Sequence, residues 1–134
     1  RHHVRRLEKV ADKLDLAVRS LRVVSRRAVS AIDHAAMSDA GTESLAAVME
    51  ETADAAVQLA GAVRETGPGF DRRMQTARDS LAAVAVQLHP ARLGLDDLEG
   101  EALVLLIRTM MVDLLETTGL SHQEAEEHLP VLRS

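Results

Sequence analysis

The side chains with most chemical potential in this 134-residue sequence gather near its C-terminus, where Glu124, Glu126, Glu127 and His128 crowd into five positions. Carboxylates and an imidazole of this kind can ligate a divalent metal. A di-metal centre built on helices needs inward-facing glutamates and Glu-x-x-His spacing on facing helices. That spacing is absent, so the four read as a solvated face rather than a metal site. His2 and His3 are neighbours and cannot share a helical face. His34 stands near a predicted helix end, as does the phosphoacceptor of a sensor-kinase dimerisation hairpin. Ala35-Ala36-Met37 lack the acidic residue and downstream proline of that motif, and a histidine here suits the helix dipole. Gly67-Pro68-Gly69 has the wrong spacing and no following lysine for a phosphate loop. No serine sits in a strand-turn-helix elbow. The expectation is therefore a non-enzyme with no catalytic residue, no metal and no cofactor.

One charge stands apart. The helical neighbours of Arg108 at three and four residues, Val104, Leu105, Met111 and Val112, are all apolar, so its partner must come from elsewhere. Either its stem covers apolar surface while the guanidinium reaches water, or it pairs with a carboxylate of another helix or chain, Asp113 and Glu116 being badly placed. Leu105, Arg108 and Val112 lie off the main apolar seam. They form the candidate partner-contact face, covered by Leu120, Leu129, Val131 and Leu132 or offered to another protein.

The elements that position these residues follow from periodicity. Leu7, Val10, Leu14, Ala17, Leu21, Val24, Ala28 and Ala31 form a heptad seam, predicting a helix over residues 3–36. Ser38 to Gly41 are turn formers, and Thr42 is the expected N-cap of a helix over 43–65 with Leu45, Met49, Ala56, Leu59 and Val63 inward and Ala53 and Ala60 permitting close approach. Gly67-Pro68-Gly69 stops it. A third helix, 70–88, carries Phe70, Met74, Ala77, Leu81, Val84 and Leu88 and ends at His89-Pro90. Asp96 is the expected cap of a fourth, 97–117, with Glu99 reaching back. Its seam of Leu103, Ile107, Met110 and Leu114 is widened by Leu106, Met111 and Leu115, so it should be the most buried. Ser121 to Glu124 read as a capping box opening a short fifth helix, 122–128. The fold class is all-α: an antiparallel up-down-up-down four-helix bundle with a short C-terminal fifth helix, in a single domain spanning 1–134.

Composition agrees. With one Phe and no Trp or Tyr, the core must be Leu, Val, Ala and Met, which suits helices better than strands. No cysteine is present, as fits a reducing compartment. Unbroken apolar runs, such as Ala102 to Ile107, are far below the roughly 20 residues needed to span a bilayer. Charge is divided: residues 1–30 hold nine Lys or Arg against three acids, whereas residues 31–134 hold seven against eighteen. The acidic bulk argues against a nucleic-acid partner. The basic start, Arg1, Arg5, Arg6, Lys9 and Lys13, is what is expected just after a membrane span, where anionic lipid headgroups attract such residues. With Arg1 rather than Met first, the sequence is expected to be a segment of a longer chain.

Leu98-Glu99-Gly100-Glu101-Ala102-Leu103-Val104, then Arg108, then Val112-Asp113-Leu114-Leu115-Glu116-Thr117-Thr118-Gly119-Leu120, then Glu124-Ala125 and Leu129-Pro130 make up a stretch over the last third of the chain. This stretch resembles the C-terminal end of the FUSC-like family, the fusaric acid resistance and aromatic acid exporter superfamily of membrane proteins. The resemblance implies a domain on the cytoplasmic face of the cell membrane, following transmembrane helices of the same polypeptide in an exporter of small organic acids. A homo-oligomer is expected, with the bundle mediating assembly or gating. It supplies no site residues, since a transport path would lie in the membrane helices. The alternative is a stand-alone helical interaction or regulatory module.

Overall fold

A computed structural model of the chain describes residues 12, 14, 19, 22, 23, 26, 27, 30, 39–65 and 67–132. Its regular structure is helical, with no strand among the described residues. Four helices are continuous: α1 (Asp39–Arg64), α2 (Phe70–Ala85), α3 (Leu98–Thr117) and α4 (His122–Glu127). The eight described positions before residue 39 are helical as well. Among them Leu14 is half-buried and packs on the core, whereas Asp12, Arg19, Arg22, Val23, Arg26, Arg27 and Ser30 are exposed. The rest of the helix expected over 3–36, with His34 and the basic residues Arg1, Arg5, Arg6, Lys9 and Lys13, lies outside the described residues.

The start of α1 differs from the sequence expectation. Asp39, Ala40 and Gly41 are helical rather than a turn, and Asp39 places an acid in the first turn where it complements the helix dipole. Gly41 is buried, with its backbone close to Gly94 in the loop before α3, so a small residue is useful there. The buried stripe is Gly41, Leu45, Val48, Thr52, Ala55, Leu59 and Ala62, a strict four-three alternation. Met49, Ala56 and Val63, expected inside, are only half-buried, and Ala53 is exposed. The stripe is turned because Thr52 can enter the seam: its hydroxyl donates to the Val48 carbonyl at 2.7 Å and leaves no polar atom unpaired.

Gly67, at φ 138°, makes the turn out of α1 that a side chain would resist, and α2 begins three residues later. Met74, Ala77, Leu81, Val84 and Leu88 are buried on the expected heptad seam. The helix itself ends at Ala85, three residues early. Gln87 and Leu88 donate to Val84 and Ala85 at 3.0 and 3.1 Å, a tighter turn than α. Pro90 disfavours the α region at the residue before it, His89.

Between α1 and α2 the flanking polar residues form a ladder. Gln87 donates to Glu51 at 2.9 Å, Ser80 to Gln58 at 2.7 Å, and Arg73 meets Glu65 at 3.5 Å. Each step is seven residues up α1 and seven down α2, the repeat of a coiled-coil flank.

Helix α3 is packed on a wider arc, with Leu103, Val104, Ile107, Met110, Met111, Val112, Leu114 and Leu115 all buried. Its N-cap is Asp97 rather than the expected Asp96, and Asp97 Oδ1 accepts from the Gly100 amide at 2.6 Å. Gly100 is buried beneath the preceding turn: a Cβ there would lie 2.6 Å from the Leu95 carbonyl oxygen and 2.7 Å from Asp97 Oδ1. Moving the cap by one residue sets this glycine at the third helical position, where only its small size allows the chain to fold back. Gly119, at φ 108°, follows the C-cap Thr118 and turns the chain toward α4. The capping box expected at Ser121 is complete: Ser121 Oγ accepts from the Glu124 amide at 3.1 Å, and Glu124 accepts from the Ser121 amide at 2.9 Å.

Candidate contact surface

Arg108 finds a partner other than the carboxylate anticipated from sequence. It is half-buried on α3, and Nη1 donates to the carbonyl oxygen of Leu88 at 2.7 Å. Carbonyls beyond a helix end lack intrahelical donors, and a cation beside them also answers the negative end of the helix dipole. Arg108 is thus a cap supplied by α3 to the end of α2. Burial pulls its pKa below the ordinary arginine value, while the charge of Glu126 on α4 opposes that shift; the group stays a cation.

A second arginine mirrors it. Arg78 on α2 donates through Nε to Thr118 Oγ1 at 3.1 Å and through Nη2 to the Thr118 carbonyl at 2.5 Å, at the end of α3. Thr118 is buried and its hydroxyl donates to Leu115, so the C-cap is fully hydrogen-bonded. Each helix therefore lends an arginine to the other's C-terminal end. Sequence reasoning overlooked Arg78. A usable signal existed: Leu88-His89-Pro90 and Thr118-Gly119 both leave helix-end carbonyls in need of donors.

The other two members of the expected contact face separate. Leu105 remains 49% exposed and shares the outer face of α3 with Leu98, seven residues earlier and 87% exposed. Val112 is drawn into the core at 7%. Of the terminal residues, Leu120 and Leu129 pack on the core alongside buried Ala125, whereas Val131 and Leu132 are exposed. The cover is partial, and the apolar surface left on α3 is at its N-terminal half.

At the junction of α3 and α4 the carboxylates find an imidazole. His122 Nδ1 lies 3.2 Å from Glu116 Oε2 and Nε2 lies 2.7 Å from Glu126 Oε1. A neutral imidazole can donate through one nitrogen only, so this geometry favours the protonated ring. The hydrogen bond with Glu116, then the charge of Glu126, raise the His122 pKa above its ordinary value. Glu124 is lowered, first by the Ser121 backbone hydrogen bond. No group of three or more His, Cys, Asp or Glu among the described residues is arranged to hold a metal ion. No helix of the described residues is long and apolar enough to cross a membrane.

Arg19, Arg22, Arg26 and Arg27 form an exposed basic run, in contrast to the acidic exposed residues Glu43, Glu50 and Asp54 of α1. No family model, curated protein or solved structure matches the chain.

Proposed function

We propose that this chain is a non-catalytic accessory domain on the cytoplasmic face of a membrane exporter resembling the FUSC-like family, serving subunit assembly or gating. In this reading the segment over 3–36 descends from a membrane span, and its basic first turns, Arg1 to Lys13, sit near anionic headgroups. It packs with α1, α2 and α3 as an up-down-up-down bundle, with α4 as the short fifth helix. Leu14, helical and seated on the core, supports a fourth long helix. The order of the cross-helix contacts supports antiparallel neighbours: Glu51, Gln58 and Glu65 meet Gln87, Ser80 and Arg73, and Arg78 and Leu88 meet Thr118 and Arg108.

The single observation that carries the membrane assignment is the charge division, net positive over residues 1–30 in a chain otherwise strongly acidic. The test is the gene around Arg1, followed by fractionation of the full-length product. Several apolar stretches of about 20 residues upstream, and recovery in the membrane fraction, are expected. A coding sequence that begins at this segment, with a freely soluble product, would transfer the domain to the alternative, a stand-alone helical interaction module.

A further inference from the structure

The arginine run beyond residue 18 is left without a role by the membrane assignment. On a helix, a span ending near residue 3 would put Arg19 roughly 24 Å along the axis, well beyond the ~8 Å over which exposed charges act in physiological salt. Headgroups that attract the first basic residues, Arg1, Arg5 and Arg6, therefore do not reach this run. At 3.6 residues per turn, Arg19, Arg22, Val23, Arg26 and Arg27 fall within an arc of about 140°. All five are exposed, on the side opposite the one that carries Leu14 to the core. None of the four arginines has an ion-pair partner among the described residues.

A partner for this face must be acidic, and among the described residues α1 offers a long surface that is both acidic and unengaged. On α1, Glu43, Glu50 and Asp54 are exposed on a common face with Ala46, Ala47, Ala53 and Val57, opposite the buried stripe. Their span of roughly 16 Å is close to the ~12 Å of the arginine run. The alanines leave room for long arginine stems to lie across the helix, and Val57, at 72% exposure, supplies apolar surface beside them. Competing carboxylates are occupied elsewhere: Glu51 by Gln87, Glu65 by Arg73, Glu124 by the capping box and Glu126 by His122. The outer face of α2 mixes both signs, as in Asp71, Arg72 and Asp79, and the exposed acids at the start of α3, Asp96, Glu99 and Glu101, crowd into about 8 Å along the axis, shorter than the arginine run.

Both faces are exposed and point away from the core on their own helices, so each is open to a second copy. We propose that the Arg19–Arg27 face docks on the Glu43–Asp54 face of α1 in a second copy, forming a twofold dimer in which each contact occurs twice. The proposal rests on the reading of this chain as an assembly domain and names the surface that assembles.

Sedimentation velocity on the chain tests it. Wild type is expected to dimerise, and to lose about tenfold or more in affinity between ~50 mM and ~500 mM salt. Arg22→Glu/Arg26→Glu and Glu50→Arg/Asp54→Arg, each checked for a wild-type helical melt, are each expected to be monomeric. An equal mixture of the two is expected to restore a dimer, because one variant has two acidic faces and the other two basic ones. A monomeric wild type at low salt, a dimer that survives either double reversal, or a mixture that stays monomeric overturns the proposal. So does a monomer that binds phosphatidylserine vesicles through the same arginines, which would assign the face to a membrane. Because these readouts use the chain alone, they are independent of whether spans precede Arg1.

Discussion

The α1–α2 pair and the region around α3 solve the same packing problem differently. In the first, each helix buries one heptad stripe, and matched polar residues step along its flank every seven positions. In the second, apolar residues cover more than half the helix, and the order comes from its ends: Asp97 and Gly100 at the start, Arg78 on Thr118 at the finish, and Arg108 sent out to Leu88. The lesson is that a narrow periodic stripe sets the rotation of a helix, whereas a helix apolar over a wide arc needs directional end contacts to set its depth and register.

The largest effect should separate the two regions by how well each can collapse. Leu59→Ala and Leu103→Ala both empty fully buried sites and should each cost about 2–5 kcal/mol in urea unfolding. Leu103 should lie nearer the top of that range. Its helix is enclosed on a wide arc, so fewer neighbours can move into the void, whereas Leu59 belongs to a single stripe flanked by half-buried Ala56 and Val63. Equal losses would count against the distinction.

The same substitution should have opposite signs in the two regions. Gly100→Ala drives a Cβ to within 2.6 Å of the Leu95 carbonyl oxygen and should destabilise by about 1–3 kcal/mol. Gly61→Ala, inside α1, meets nothing nearer than the tip of Arg73 at 3.5 Å and should stabilise by about 0.5–1 kcal/mol through helix propensity. Thermal melts of the two variants decide it, and a Gly100→Ala protein as stable as wild type would show that the α3 start can relax.

What was legible in the sequence follows this division. The α2 seam from Met74 to Leu88 was readable because apolar residues alone trace it. The α1 stripe was readable at Leu45 and Leu59 but displaced elsewhere, because Thr52 looks polar until its hydroxyl is seen bonded to Val48. Asp96 and Asp97 are equally good caps by type, and the choice between them is made by where Gly100 must fall. For the candidate contact face, Arg108 was conspicuous because of its apolar neighbours. Its partner was not legible, since a backbone carbonyl twenty positions away leaves no mark on residue types.

Removing an arginine cap should come next in size. Arg108→Met keeps most of the stem's packing but strands the Leu88 carbonyl, at about 1–2 kcal/mol, read by denaturant unfolding. Because Arg78 caps the other end and shares no partner with it, the Arg78→Met/Arg108→Met pair should be additive within about 0.5 kcal/mol. Strong coupling would mean that α2 and α3 slide as a unit once either end is released. The ladder between α1 and α2 should matter less: Gln58→Ala or Ser80→Ala, at an exposed hydrogen bond, should change stability by no more than about 0.5 kcal/mol.

The smallest global effect, and the most local, belongs to His122. Its pKa is raised in the folded chain by Glu116 and Glu126, so the contact is fully present below about pH 6.5, the ordinary histidine value, and is lost as pH rises through the raised value. Above that point one ring nitrogen turns a lone pair toward a carboxylate. The ring is exposed, so the melting temperature should barely move. Amide exchange in α4 should quicken over that window, while exchange in α1 changes only as its intrinsic rate does. Glu116→Gln should lower the His122 pKa measured by NMR and flatten the α4 response, because it removes the leading cause of the shift. An unchanged titration in that variant would leave Glu126, on the same helix as His122, as the partner that matters, and the α3–α4 junction would then owe its closure to Ala125 and Leu129 rather than to charge.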